Sequence, residues 1–295
     1  MKHHHHHHQQ ELLLRDVTLR DGLQNLPEIL STEDKLAILD ALIAAGVKDF
    51  QITSFVNPAR VPQMHDAETI YAEGVKRGLN PNVLVANLRG FERAVAAGAK
   101  SIDAVLSAST AYNQKNSGRT ILEGANEITI MLSRAAHAGC AVSVGLANCF
   151  HCFTEGAIDP EIVLALTRSF HDAGARTVWL SDTTGYATPE QITALVKQCM
   201  PIGVELGLHL HDTQGRAGEN ALAGYKAGVR RFDAVLSGLG GSPFTPGVGG
   251  NLSMETAQAV FSGVGIATGL DQTKLDIARA KLSAGIAAAE KPGAP

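Results

Sequence analysis

Cysteine is scarce in this sequence: Cys140, Cys149, Cys152 and Cys199 are the only thiols in 295 residues. So sparse a set excludes the disulfide framework of a small secreted domain, and a reducing, cytoplasmic setting is the expectation. Cys149 and Cys152 make a CxxC, but no second CxxC follows at zinc spacing, so pocket lining is a simpler reading than a metal or redox pair. Aromatic residues are also few, at 5% with one tryptophan, and the 25 Lys and Arg are outnumbered by 29 Asp and Glu, for a formal net charge of −4. Without a basic run interleaved with aromatics nothing would track a phosphate backbone, which excludes nucleic acid as a partner. No apolar stretch approaches the roughly 20 residues that span a bilayer, so no membrane partner is expected.

What the chain does have is 45% hydrophobic residues against 18% charged, enough to bury a substantial core. Residues 1–10 read as an expression tag and drop out of any metal argument. That leaves His65, His137, His151, His171, His209 and His211. Residues 291–295 have the composition of a frayed tail. No Pro/Gly/Ser linker divides residues 11–290, which read as one domain.

A faint repeat runs through that domain: a helix end with Ala-Gly or Gly, then a short β-branched run. Its instances are AAGVKDFQI from Ala44, RGLNPNVLV from Arg77, AAGAKSIDAVL from Ala96 and HAGCAVSVGL from His137. DAGARTVWLS from Asp172, PIGVELGLHLH from Pro201, KAGVRRFDAVL from Lys226 and SGVGIATG from Ser262 complete the set. Eight helix exits spaced by about 30 residues, after a first strand in ELLLRDVT, predict an α/β fold of the (β/α)8 TIM-barrel type, with an open doubly wound sheet as the rival. The helices between carry their own signals. STEDKLAILDALIAAG opens on a Ser or Thr cap with acids in its first turn, and DPEIVLALTRSFHDAG places Pro160 at the first helical position.

The string GLHLHDT sets His209 and His211 two residues apart in a strand-like run. Side chains at i and i+2 leave a strand on one face, so both imidazoles enter the same space. Barrel enzymes carry their chemistry just after the strands, and the other motifs fall there too: TLRDGLQN (18–25), SDTTG (181–185) and GLGGSPFTPGVGGN (238–251). Asp21, His209, His211 and the amide oxygen of Asn251 offer a mixed nitrogen and oxygen set without thiolate, which suits Mg2+ or Mn2+. Taken alone, Arg20-Asp21-Gly22 reads as a turn with a surface ion pair before it reads as a ligand site.

In order along the chain, TLRDGLQN, TSFVNP with PQMHDAE, NLRGFERAVAAGAK, SDTTG, HLHDT and GLGGSPF…GN together resemble the hydroxymethylglutaryl-CoA lyases, from about Leu14 to Gly269. The resemblance implies that Asp21, His209, His211 and Asn251 hold a divalent metal and that Arg20 steadies a developing enolate. It implies a part in proton handling for Asp182 and an active-site place for Gln24. Lys115 and Asn116 fall in a loop like one near that family's cofactor entrance. Two positions depart from the family: Ser242 stands where its lyases have a cysteine, and Gln51 where they have a glutamate. A hydroxyl is a far weaker acid than a thiol, which titrates near pH 8.5, and losing the carboxylate at 51 would change how Arg20 is held. The segment Asn148 to Gly156, with Phe150, His151 and Phe153, would make one side of the pocket bulkier. His151 then becomes a second candidate for proton delivery.

The activity implied is retro-Claisen cleavage of a hydroxymethylglutaryl-CoA-like hydroxyacyl-CoA to acetyl-CoA and a keto acid, by a homodimer whose partner is the acyl-CoA substrate. The alternatives are a Claisen-condensing acyltransferase, a 4-hydroxy-2-oxo acid aldolase, or a catalytically silent barrel that binds acyl-CoA.

Overall fold

The apolar runs that follow the glycines become strands. The computed structural model describes residues 11–240 and 250–289. Among them the barrel strands are β1 (Leu13–Asp16), β2 (Asp49–Phe55), β3 (Asn82–Val85), β4 (Ser101–Ser107), β5 (Ala141–Ala147), β6 (Thr177–Asp182), β7 (Glu205–Leu210) and β8 (Arg231–Ala234). Neighbours pair in parallel in chain order, and β8 pairs with β1 to close the ring, so the open-sheet rival is excluded. A two-stranded hairpin of His151–Cys152 and Gly156–Ala157 follows β5.

Helices α1 (Thr32–Ala44), α2 (Ala67–Lys76), α3 (Leu88–Ala96), α4 (Thr110–Ser117), α5 (Ile121–Ala138), α6 (Pro160–Asp172), α7 (Pro189–Cys199), α8 (Ala217–Ala227), α9 (Met254–Ser262) and α10 (Gln272–Ala288) lie between and beyond the strands. The expected caps form: Ser31 accepts a hydrogen bond from the Asp34 amide, and Asp159 from the Glu161 amide. Ile52, Val83, Ile102, Val144, Leu180, Leu208 and Phe232 are buried on the strands with Ile38, Ile70, Met131, Val163 and Ile192 on the helices. Each such side chain contributes roughly 1.5–3 kcal/mol on leaving water.

Two expectations need correction. The eighth repeat, SGVGIATG, leads to no strand, because ELLLRD already completes the ring; the chain goes on into α10, which packs on α1. Its last glycine serves that contact: a Cβ on Gly46 would lie 2.3 Å from the Gly269 carbonyl oxygen, and the Asp271 amide bonds the Ala45 carbonyl at 2.9 Å. The second concerns Thr18–Gly22, which is a short π-helix rather than a simple turn. The amides of Asp21 and Gly22 both reach the Val17 carbonyl, at 2.8 and 3.2 Å. Such widened turns recur at functional sites because they re-aim side chains.

The barrel interior is charged where bulky aliphatics are usual. Arg15 grips both oxygens of Asp233 (2.7 and 3.1 Å), bonds Asp103 at 2.9 Å and Asn82 at 3.2 Å, and lies 3.9 Å from the centroid of the Trp179 ring. Burial alone would lower its pKa, but Asp103 and Asp233 outweigh that and keep the guanidinium charged. Burying these ions is tolerable only because each is paired and hydrogen-bonded.

Candidate active site

Above this charged floor, at the C-terminal ends of the strands, opens a cavity of about 900 Å³. A shallower groove of about 460 Å³ between α7 and α8, lined by Lys197, Glu219 and Lys226 among others, gathers no comparable cluster. Strand β7 aims His209 into the cavity and His211 follows just past its end, the two rings 5.4 Å apart. The π-helical turn after β1 brings Asp21 to them, with Oδ2 3.3 Å from His209 Nε2. One donor atom from each of Asp21, His209 and His211 lies within 4.8 Å of the others.

Orientation comes from beneath. Asp233, fixed by Arg15, meets His209 Nδ1 at 2.7 Å and so directs Nε2 at Asp21. A carboxylate behind an imidazole is the usual way a ligating ring is held. The fourth member arrives from the far side of the last loop. Asn251 forms an isolated antiparallel bridge with His211 and donates through its amide nitrogen to the Leu239 carbonyl at 2.7 Å. Gly240 (φ +96°) permits this closure, since a Cβ there would lie 2.4 Å from Asn251 Nδ2 and 2.7 Å from the Asp21 carbonyl oxygen.

Among the described residues, two buried atoms in this group, His211 Nδ1 and Asn251 Oδ1, have no hydrogen-bond partner. An unsatisfied buried polar atom costs about 1–3 kcal/mol, so two such atoms on bridged residues of a group that also holds a carboxylate and a second imidazole fit a divalent cation as their partner. The electrostatics agree. Burial would raise the Asp21 pKa, yet Arg20, His209 and His211 hold it far below the usual carboxylate range. Burial and the neighbouring His209 push His211 down to about 4, leaving a neutral, ligand-ready ring. Burial would also lower His209, but hydrogen bonds to Asp21 and Asp233 carry it up to about 9. The proton this keeps on the ring is one that a ligated cation displaces.

Arg20 donates through Nε to the Gln51 amide oxygen at 2.6 Å and through Nη1 to Asp21 at 3.1 Å, with Gln24 at 3.5 Å. The Gln51 NH2 group in turn donates to Asn82 (2.9 Å) and Asp103 (3.0 Å), so one neutral amide joins Arg20 to the acidic floor. A glutamate here would set its carboxylate against Asp103.

Of the other sequence-predicted residues, Gln24 and Asn116 line the cavity, whereas Lys115 lies exposed near the end of α4 and is not among the lining residues. Asp182 is turned away from it: Ser181 and Thr183 face inward, and strand alternation sends Asp182 outward to accept from the Ala187 amide at 3.2 Å. Burial pushes that carboxyl up to about 6. His151 also misses the cavity. Its Nδ1 lies 3.0 Å from Thr184 Oγ1, its ring stacks on Tyr186 at 4.8 Å, and Phe153 completes an aromatic cluster outside. No residue of 148–156 is among the cavity lining, so the expected bulky wall is absent there. Cys149 and Cys152 are buried, unlinked and off the cavity, and burial pushes the Cys149 thiol up. Ser242 lies outside the described residues. Sequence reasoning passed over Arg15, Asn82, Asp103, Trp179 and Asp233; the available signal was charge inside apolar strands, as in LLLRD and RRFDAVL.

Comparison with known proteins settles the kinship. The profile of the HMGL-like family matches residues 11–281. The chain belongs to the HMGL-like family. It is 38% identical to (R)-citramalyl-CoA lyase of Chloroflexus aurantiacus over 282 residues, covering 91% of this chain and 89% of that one. Mitochondrial hydroxymethylglutaryl-CoA lyase of Homo sapiens is 38% identical over 261 residues, covering 87% and 80%. An HMG-CoA lyase of Acinetobacter baumannii, solved with coenzyme A and 3-methylmalate, superposes with a TM-score of 0.88 at 32% identity, covering 96% and 93%. As an HMGL-like protein the chain is a carbon–carbon lyase with a candidate divalent-metal site at Asp21, His209 and His211. No described helix is long and apolar enough to cross a membrane.

Proposed function

We propose that the protein cleaves a carbon–carbon bond of a 3-hydroxy-3-methylglutaryl-CoA-like hydroxyacyl-CoA by a retro-Claisen route, releasing acetyl-CoA and a keto acid. The observation that carries this reading is the convergence of Asp21, His209 and His211 within 4.8 Å, with Asn251, whose side-chain oxygen has no partner among the described residues, bridged to His211. A Mg2+ or Mn2+ ion held by these four would supply Lewis acidity to the tertiary hydroxyl and a neighbouring oxygen of the substrate. When that hydroxyl gives up its proton to water in the cavity, a carbonyl forms, the adjacent carbon–carbon bond breaks, and its electron pair passes to the thioester as an enolate. Arg20, braced by Gln51 and Asp21, presents its guanidinium to the enolate oxygen, where charge develops only along the reaction path. Asp233 holds His209 in place throughout. The enolate carbon takes up the final proton, and we assign its delivery to Ser242, directly or through a water it holds. The same reading treats residues 11–290 as one catalytic domain of a cytoplasmic homodimer.

The decisive experiment follows acetyl-CoA release before and after chelation. Activity should vanish with the metal and return with Mg2+ or Mn2+; full turnover in chelated protein overturns the scheme.

A further inference from the structure

The cavity has two walls of opposite character. Across the ring from β7, β8 and β1, which bring up Arg15, Asp21, His209, His211 and Asp233, stand β3, β4 and β5, where Leu84, Val105, Gly145 and Ala147 face the space beside the Arg15-bound Asp103. Val105 sits mid-strand yet is 39% exposed, and it pairs in register with Gly145.

Nothing in the backbone demands glycine at 145. Its φ lies outside the left-handed region, and an added Cβ would meet only Val105 Cγ1 at 3.6 Å and the Ala104 carbonyl oxygen at 3.8 Å, both ordinary contacts. Gly207, two strands further round the ring, is the contrast: a Cβ there would lie 2.3 Å from the Trp179 ring, so packing requires its absence. Glycine weakens a strand interior, and where neither turn nor packing explains it, close approach of a ligand does. What Gly145 contributes is room, bounded by the open methyls of Val105.

We infer that Gly145 and Val105 form a subsite for an aliphatic branch on the carbinol carbon of the substrate, longer than a methyl group. This rests on the lyase reading above. With the carbinol oxygen directed to Asp21, His209 and His211, a substituent on the same carbon can extend across the cavity to the β4–β5 wall, where the one charged strand residue, Asp103, is already engaged by Arg15 and Gln51. The substrate class is thereby narrowed to 3-hydroxyacyl-CoA thioesters bearing a short alkyl chain at carbon 3.

The test compares kcat/KM on two thioesters, one with methyl and one with n-propyl at carbon 3, for the wild type, Gly145→Ala and Gly145→Val. The wild type should prefer the propyl compound by roughly tenfold or more, since a methylene seated in an apolar pocket is worth a factor of about 10–200. Gly145→Val should lower propyl turnover by roughly 100-fold and change methyl turnover by less than about threefold, with Gly145→Ala between. Mn2+ affinity by calorimetry should not move in either variant. A wild-type preference for methyl, or an equal loss on both compounds, overturns the subsite. If the wild type cleaves neither thioester, the lyase reading fails separately, and dissociation constants of the two intact compounds decide the subsite by the same ratios.

Discussion

The floor of the barrel and its mouth handle buried polarity in opposite ways. On the floor the Arg15 guanidinium is met by Asp233, Asp103 and Asn82, and the Gln51 amide is met on both ends. At the mouth, His211 Nδ1 and Asn251 Oδ1 stand without partners among the described residues. The contrast teaches a division of labour: the satisfied network fixes geometry before any ligand arrives, and the unsatisfied atoms are where a ligand gains most. Two bonds join the regions, Asp233 to His209 and Gln51 to Arg20, so the floor aims both the metal site and the enolate-facing arginine.

His211→Ala attacks the mouth alone and should have the largest effect. It removes a ligand and one of the unsatisfied atoms together, so Mn2+ binding by calorimetry and lyase turnover should both fall, the latter by about 1,000-fold or several kcal/mol of transition-state stabilisation. The melting temperature of the metal-free protein should hold or rise. A marked drop in stability of that protein would mean His211 is structural.

Asp233→Asn breaks the link from below. Removing one member of a buried ion pair costs about 3–5 kcal/mol, here read by urea unfolding. Mn2+ affinity should fall about 10–100-fold, as expected when the group behind a ligating imidazole is lost. A stability loss with unchanged affinity would show that His209 is aimed by its own ring packing.

Asp16 sharpens the comparison by giving a buried carboxyl with neither network. It adjoins Arg15 on β1 but points the other way, bonded to the Thr18 amide (3.0 Å) and hydroxyl (2.8 Å). Burial pushes it up to about 7. Between about pH 4 and pH 7 the folded chain therefore keeps a proton that the unfolded chain releases, and stability falls as pH rises through that window, by at most about 4 kcal/mol. Asp16→Asn should flatten that part of the pH–stability profile. An unchanged profile would place the titration elsewhere.

Much of this was legible in the sequence. The glycine rhythm announced the barrel, and the i, i+2 spacing of His209 and His211 announced a shared face. Those signals are local, repeated or tied to strand period. The floor was not legible, because Arg15, Asp103 and Asp233 are 88 and 218 residues from one another along the chain, measured from Arg15, and meet only through ring closure. The placement of Asp182 follows from parity: Ser181 pairs in register with His209 and faces in, so its neighbour faces out, which the SDTTG motif alone did not reveal. Position 242 kept its sequence-level meaning only, and the last repeat misled because a glycine that ends a helix looks alike whether a strand or another helix follows.

The smallest effect belongs to His151→Ala, a test of whether anything outside these two regions takes part in the chemistry. His151 stacks on Tyr186 and contacts Thr184, off the cavity. Its loss should cost about 0.5–1.5 kcal/mol of stability from the broken stack and leave kcat/KM within about twofold. A fall of about 100-fold at unchanged stability, about 2.7 kcal/mol of barrier, would assign the enolate proton to His151. The active centre would then extend past the mouth to the hairpin after β5, and Ser242 would lose the role proposed for it.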